Sequence, residues 1–174
     1  MKTRLLFVMT ALLVVVLASV ALVGAAQTRP WSAVGSTCVA DDDAVSRYEV
    51  NVTYGYGEFK SNTTGDFYLT FNVTTPIDSY PGEPDWNTLY LTFKDPDADG
   101  YVRAKLYRKN LATGAVGTLA TVTSTDGTGV REAYVLVSGF DFDKYAYFVR
   151  IQMHRTDTGS DQEFHIVRLQ FVLF

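Results

Sequence analysis

Three aspartates alternate with other residues in the stretch Asp95-Pro96-Asp97-Ala98-Asp99-Gly100. This spacing directs three carboxylates toward one point, and calcium prefers oxygen ligands of this kind. A helix–loop–helix calcium loop would place a bidentate glutamate where this chain has Leu106, and strand-like sequence flanks the loop in place of helices. Asp-Pro and Asp-Gly are also strong turn formers. We therefore predict a tight turn between two strands. Calcium held by Asp95, Asp97 and Asp99 is the alternative, and the sequence indicates no other cofactor.

Aromatic and acidic residues occur together in the proline-containing loop of residues 76–86. Its acidic residues are Asp78, Glu83 and Asp85. Flat aromatic rings stack on the apolar faces of sugars, and we predict that Tyr80, Trp86 and, on the following strand, Tyr90 contact a bound glycan. The acids leave open a polysaccharide-cleaving enzyme, which would need two carboxylates, although nothing in the sequence places a second carboxylate opposite the first. A plain surface loop is the remaining interpretation.

Residue types that support other catalytic mechanisms are scarce. The chain has one cysteine, Cys38, and two histidines. It contains no Gly-x-Ser-x-Gly nucleophile motif, and no glycine-rich phosphate loop precedes a helix. We therefore predict that the protein is not an enzyme. A single cysteine cannot form an internal disulfide, so Cys38 is either an idle thiol or a link to another chain.

Apolar and polar residues alternate with a period of two through most of the chain after Val45, as in half-buried β-strands. The runs that show this pattern are residues 48–56, 67–73, 89–93, 102–106, 116–123, 133–137, 145–153 and 164–174. Gly, Asp, Asn and Pro separate the runs and leave no room for a helix of ordinary length. The pattern predicts an all-β fold of about eight strands, arranged as an antiparallel two-sheet sandwich of jelly-roll type.

The last two runs are joined by a polar connection, residues 155–161, and we interpret them as a hairpin. A turn centred on Gly159 would set Ile151 opposite Val167, which is an apolar cross-strand pair. His154 and His165 would then lie on opposite faces of one sheet, where their side chains cannot converge on a zinc ion. The sequence therefore predicts no histidine metal site.

The first 26 residues have the features of a secretory signal peptide. Lys2 and Arg4 precede an apolar run from Leu5 to Val23, and small residues follow at positions 24–26. We predict cleavage before Gln27 and a secreted or cell-surface protein; without cleavage, the run is long enough to anchor the chain in a bilayer. The predicted segments are a signal peptide at residues 1–26, a flexible lead-in at 27–44 and a single β-sandwich domain at 45–174.

Two stretches resemble known proteins. They are Leu106-Tyr107-Arg108-Lys109-Asn110-Leu111-Ala112-Thr113-Gly114 and Phe142-Asp143-Lys144-Tyr145-Ala146-Tyr147. Both are similar to stretches of secreted bacterial β-sandwich proteins that have no assigned activity, and the resemblance covers about half of the chain. It implies a fold and specifies no function. The architecture also resembles that of carbohydrate-binding modules and of the head domains of fibres.

The function predicted from these features is that of a secreted, non-catalytic β-sandwich. It would bind a glycan or another cell-surface component, or assemble with copies of itself as an extracellular structural protein. The net charge of −4 and the lack of a basic cluster argue against nucleic acid as a partner. A membrane is a partner only through an uncleaved N-terminal segment. The alternative is an eight-stranded outer-membrane β-barrel, although runs such as residues 89–93 are short for a barrel wall.

Overall fold

The computed structural model describes residues 30–41, 44–51, 54–74 and 84–173. Within these residues the chain forms eleven β-strands, which are β1 (Trp31–Val34), β2 (Val39–Ala40), β3 (Tyr48–Asn51), β4 (Tyr56–Phe59), β5 (Gly65–Val73), β6 (Thr88–Asp95), β7 (Tyr101–Asn110), β8 (Val116–Thr123), β9 (Gly127–Leu136), β10 (Tyr145–Arg155) and β11 (Glu163–Gln170). A 3₁₀ turn covers Gly35–Thr37 and a helix, α1, covers Ala44–Arg47. No helix in the described part of the chain is long and apolar enough to cross a bilayer. The predicted signal segment, residues 1–26, lies outside the described residues.

The strands form two antiparallel sheets. One sheet has the order β3-β4-β11-β6-β9, with β1 also paired to β11, and the other has the order β2-β5-β10-β7-β8. From β5 onward the chain crosses repeatedly between the sheets, because β5, β7, β8 and β10 belong to the five-stranded sheet and β6, β9 and β11 to the six-stranded sheet. The prediction of an all-β, two-sheet sandwich of jelly-roll type is confirmed.

The hydrophobic core fills the space between the two sheets. Every second residue of the central strands points inward and is fully or almost fully buried, as the period of two requires. The central strands contribute Phe67, Leu69, Phe71, Leu89, Leu91, Phe93, Val102, Ala104, Leu106, Val149, Ile151, Met153, Phe164, Val167 and Leu169. Burying a side chain of the Leu or Phe type stabilises a fold by about 1.5–3 kcal/mol relative to leaving it exposed. The remaining positions of these strands therefore form the outer faces of the sandwich.

All eight predicted strand runs are strands in the structure, and three further short strands join them. The run at residues 48–56 is divided into β3 and β4 by a turn that contains Gly55, whose φ of +74° is in the left-handed region that favours glycine. This division adds one strand to the predicted eight, and β1 and β2 are the other two. Across the described residues the strands lie in two packed sheets and not in one closed sheet, so the structure does not have the arrangement that the outer-membrane alternative requires.

The predicted hairpin between the last two strands is wrong. β10 pairs with β5 and β7, whereas β11 pairs with β6 and β4 in the other sheet. Ile151 and Val167 are both fully buried, but they project from opposite sheets into the same core. The error arose because apolar alternation is the same for strands that pair side by side and for strands that face each other across a core. His154 and His165 therefore lie on different sheets.

Residues 30–41 belong to the sandwich, which differs from the flexible lead-in that we expected over residues 27–44. β1 pairs with β11, with Trp31 opposite Leu169, and β2 pairs with β5, with Val39 opposite Thr70. Strands of four and two residues are too short to show a period of two in the sequence. Cys38 follows the 3₁₀ turn, and its Sγ donates to Tyr48 Oη at 3.4 Å.

Candidate functional site

The outer face of the five-stranded sheet carries an unusual set of side chains. On its three central strands, β5, β10 and β7, the outward positions hold aromatic rings, cations and hydrogen-bonding groups. We call twelve of these positions the five-strand face, and they are Asp66, Tyr68, Thr70, Asn72, Tyr101, Arg103, Lys105, Tyr107, Phe148, Arg150, Gln152 and His154. The outward residues Lys109 and Ala146 lie beyond them, near the ends of β7 and β10. All twelve are half-buried except Asn72, which is exposed. The strand register places the twelve in four rows across the sheet.

The first row consists of Asp66, His154 and Tyr101. His154 Nδ1 lies 3.2 Å from Asp66 Oδ1, and the Tyr101 hydroxyl donates to the same oxygen at 3.5 Å. The rings of Tyr101 and His154 stack, with 5.0 Å between their centroids. Burial and the neighbouring Asp66 carboxylate raise the pKa of Tyr101, so this hydroxyl keeps its proton and acts as a donor at neutral pH.

The second row consists of Tyr68, Gln152 and Arg103. Gln152 Nε2 donates to Asp66 Oδ1 at 2.9 Å and to Tyr68 Oη at 3.2 Å. Arg103 Nε donates to Thr123 Oγ1 at 3.1 Å, and its guanidinium lies 4.3 Å from the centre of the Tyr101 ring. Three groups thus contact Oδ1 of Asp66, while its Oδ2 makes no hydrogen bond to the described residues. This second oxygen is available to accept a hydrogen bond from a ligand.

The third and fourth rows combine cations with apolar rings. In the third row Arg150 lies opposite Lys105, and the Arg150 guanidinium is 4.1 Å from the centre of the Tyr68 ring. In the fourth row Phe148 lies opposite Tyr107, and the two rings stack with 5.0 Å between centroids and 14° between planes. The fourth row therefore presents two aromatic rings, and the middle rows are rich in hydrogen-bond donors.

The five-strand face suits a ligand that has both apolar faces and many polar groups. Most of its side chains are held by contacts with one another, so these lose little conformational entropy when a ligand binds. Aromatic rings next to fixed donors and acceptors are the combination by which proteins bind flat amphipathic ligands. Asp66 is the only carboxylate at the outward positions of these three strands, whereas glycoside hydrolysis uses a pair. The arrangement can bind, and it offers no paired acid and base.

Of the three residues that we predicted to contact a glycan, the structure describes Trp86 and Tyr90. Tyr80 lies outside the described residues. Trp86 is only 2% exposed, because its ring packs edge-on against Phe140 and Phe142, with centroids 5.6 Å and 6.3 Å away. Tyr90 is at an outward position of β6 in the six-stranded sheet, on the side of the sandwich opposite the five-strand face.

Of the three candidate catalytic acids, the structure describes Asp85. A depression of about 350 Å³ opens at one end of the sandwich beside Trp86, and Asp85 is one of its lining residues. Asp78 and Glu83, the other acids of that loop, lie outside the described residues.

The Asp95 loop forms a turn, and its three carboxylates have different environments. Asp95 is 1% exposed, and its Oδ2 accepts a hydrogen bond from the Ser124 hydroxyl. Asp97 Oδ1 accepts from the backbone N–H of Asp99 at 3.2 Å, and the Asp99 side chain is exposed. Over the described residues there is no group of three or more His, Cys, Asp or Glu that could hold a metal ion. The calcium set of Asp95, Asp97 and Asp99 is therefore not gathered at one point.

Comparisons with known proteins bear on the fold alone. No protein-family model and no curated protein matches the sequence. Among solved structures, the chain is similar to a family 36 carbohydrate-binding module in complex with calcium and xylotriose, with a TM-score of 0.49, 5% identity, and coverage of 80% of this chain and 99% of that chain. It is also similar to a CBM36-1 domain of a multidomain xylanase from the hindgut metagenome of Trinervitermes trinervoides, with a TM-score of 0.47, 9% identity, and coverage of 84% and 100%.

A third similar structure is a family 11 carbohydrate-binding module from Clostridium thermocellum in complex with a β-1,3-1,4-mixed-linked tetrasaccharide. Its TM-score is 0.42 and its identity 12%, with coverage of 83% of this chain and 89% of that chain. With identities of 12% or less and TM-scores no higher than 0.49, these similarities decide neither the ligand nor the binding surface of this chain.

The five-strand face was missed from the sequence, although a signal was present. Tyr68, Tyr107 and Phe148 are large rings at positions that alternate with buried residues, so each must point away from the core. An aromatic ring at an outward strand position is exposed unless a neighbouring side chain or a ligand covers it. The sequence could not show that these rings come from neighbouring strands.

Proposed function

We propose that the protein is a non-catalytic binding protein that holds a saccharide chain on the five-strand face. The observation that carries the proposal is the set of four rows, in which stacked rings lie beside fixed hydrogen-bonding groups. From Tyr101 to Tyr107 the face extends about 20 Å along the strands, at about 3.3 Å per residue, which is long enough for a short oligosaccharide.

The two ends and the middle of the five-strand face have different roles in this proposal. One ring of the stacked pair of Tyr107 and Phe148 contacts the apolar face of one sugar ring. Asp66 Oδ2 accepts from a hydroxyl, and Arg103 donates to ring or hydroxyl oxygens. Half-burial and mutual contacts hold these groups in place before the ligand arrives.

The proposal includes neither catalysis nor a metal ion. A single carboxylate on the face does not supply an acid and a base, and the proposed hydrogen bonds to the saccharide need no bridging cation. The features of residues 1–26 support a location outside the cytoplasm, at the cell surface or in the medium, where polysaccharides are the accessible ligands.

Retention on a panel of immobilised polysaccharides tests the proposal, using the protein expressed as the full chain. We expect retention by at least one polysaccharide, with and without a chelator. Phe148→Ala removes one ring of the stacking pair and should weaken that retention about tenfold, which corresponds to about 1.4 kcal/mol.

The matched control for Phe148→Ala is Tyr134→Ala. It disrupts a comparable ring pair, Tyr90 and Tyr134 at 5.5 Å, on the outer side of the six-stranded sheet. Equal losses in both variants, or no retention of the parent protein by any polysaccharide, would overturn the proposal.

Assembly with copies of the same chain is a second candidate, and a different surface supports it. β9 is the last strand of the six-stranded sheet, and its outward residues Val130, Tyr134 and Leu136 are more than half exposed. A terminal strand with exposed apolar residues is a surface on which chains pair. Sedimentation at increasing protein concentration measures this association independently of saccharide binding.

A further inference from the structure

Three cations occupy neighbouring outward positions at the centre of the five-strand face. Arg150 on β10 lies directly opposite Lys105 on β7, and Arg103 is two residues from Lys105 on the same strand. Like charges directly opposite each other destabilise an antiparallel pair. The chain as a whole carries a net charge of −4, so this local excess of positive charge does not follow from composition.

The three cations are incompletely neutralised by the protein. Arg150 Nη2 reaches Asp41 Oδ2 at 3.4 Å, from the β2 side of the sheet. Within the described part of the chain, Arg103 contacts two neutral groups, the Thr123 hydroxyl and the Tyr101 ring. Lys105 is half-buried, and no hydrogen bond or ion pair joins it to the described residues.

Asp66, the carboxylate of the five-strand face, does not balance this charge. It lies in the first row, where Gln152, His154 and Tyr101 contact its Oδ1. Lys105 and Arg150 lie in the third row, two rows away. An anion placed between Lys105 and Arg150 would remove their repulsion.

We propose that the saccharide bound by the five-strand face is acidic, with a carboxylate or sulfate group held between Lys105 and Arg150. This inference rests on the proposed function. A guanidinium binds such groups through two parallel hydrogen bonds, and an ammonium adds a point charge. The ring pair of Tyr107 and Phe148 is the next row along the strands, about 7 Å away. A sugar ring stacked there places its anionic substituent over the cations.

Single-stranded nucleic acid also combines stacking bases with anionic groups. The acidic net charge of the chain argues against a nucleic acid ligand, and the experiment includes an oligonucleotide to test for one. The protein, expressed as the full chain, is titrated with polygalacturonate, carboxyl-reduced polygalacturonate, dextran sulfate, dextran and a single-stranded oligonucleotide. The titrations are made at low and at high salt, because screening weakens exposed charge contacts.

We expect polygalacturonate or dextran sulfate to bind about tenfold more tightly than its uncharged counterpart at low salt, with the difference reduced at high salt. Lys105→Gln should remove most of that preference, and Lys105→Arg should retain it. Arg168→Gln is the control, since Arg168 holds an outward position on β11 in the other sheet. Comparison of the polygalacturonate and dextran sulfate titrations shows whether carboxylate or sulfate is the preferred group.

Equal binding of charged and uncharged polysaccharides would overturn this inference and leave the proposed function standing. Tighter binding of the oligonucleotide than of any acidic polysaccharide at equal salt would have the same consequence. An unchanged preference in folded Lys105→Gln would also overturn it. Failure of every polysaccharide to bind would overturn the proposed function and the inference together.

Discussion

Asp95 is a buried carboxylate at the end of β6, and its ionised form is disfavoured by the fold. Burial raises its pKa, and the side chains of Ser124 and Gln162 only partly oppose that effect. Its Oδ1 is buried and lacks a hydrogen-bond partner among the described residues. A buried carboxylate oxygen without a donor disfavours the ionised form at neutral pH.

Asp95→Asn should therefore change how stability depends on pH. Because the folded pKa is above the ordinary carboxyl value of about 3.9, the parent protein loses free energy of unfolding as pH rises from about 4 through the raised pKa. The amide carries no charge and still accepts from Ser124, so we expect a flatter profile and a gain of about 1 kcal/mol at neutral pH. Urea unfolding of both proteins between pH 4 and pH 8 measures the difference.

The same unfolding series, run with calcium and with chelator, separates this account from a metal site. Asp95→Asn could instead be less stable than the parent protein at neutral pH, and only when calcium is present. That result would show that the Asp95 carboxylate is a metal ligand and would contradict this account of its burial.

At the scale of single residues, the sequence was informative about local geometry and uninformative about burial. Asp-Pro and Asp-Gly specify a turn, and a turn is present at residues 95–100 because the signal is local. The burial of Asp95 depends on Ser124, and that of Trp86 depends on Phe140 and Phe142. These partners are far along the chain, so no local pattern could show that Trp86 is enclosed.

At the scale of elements, the packing of the 3₁₀ turn shows how residues 30–41 are held to the sandwich. A Cβ added to Gly35 would meet the backbone of Gly57, the Phe164 carbonyl oxygen at 2.8 Å and the Tyr56 carbonyl carbon at 2.9 Å. Backbone atoms of paired strands cannot move aside cheaply. The glycine thus permits the chain to pass close to β4 and β11.

Gly35→Ala should reduce the free energy of unfolding by about 1–3 kcal/mol, the usual cost of overpacking. Gly117→Ala is the matched control, since a Cβ at Gly117 would meet nothing within 4 Å, and we expect a change within about 0.5 kcal/mol. Chemical denaturation measures both. Equal stability of Gly35→Ala and the parent would indicate that residues 30–41 are not firmly packed, as a flexible lead-in would behave.

Strand existence was predictable and strand pairing was not. The alternation in β5, β7 and β10 is long enough to identify each strand, whereas four-residue β1 and two-residue β2 give no such signal. The alternation predicts which residues point inward, but it does not predict to which of the two sheets each strand belongs. For that reason β10 and β11, although adjacent in sequence, were placed in one hairpin when they lie in opposite sheets.

At the scale of the whole molecule, the candidate site exists only because the fold brings distant strands together. β10 lies between β5 and β7, which pairs His154 with Asp66 on one side and with Tyr101 on the other. No local sequence motif predicts either pairing, since the partner strands are far apart in sequence. The glycan contacts predicted from the sequence are Tyr80, Trp86 and Tyr90, and none of them is a residue of β5, β7 or β10.

The location of the bound saccharide tests the central claim most directly. Backbone amide NMR shifts are recorded while the protein is titrated with an oligosaccharide of whichever polysaccharide retains it. The account predicts that the shifts which change lie on β5, β7 and β10, and are largest near Arg103, Lys105 and Phe148. Changes centred on β6 and β9, or around the depression beside Trp86, would contradict it.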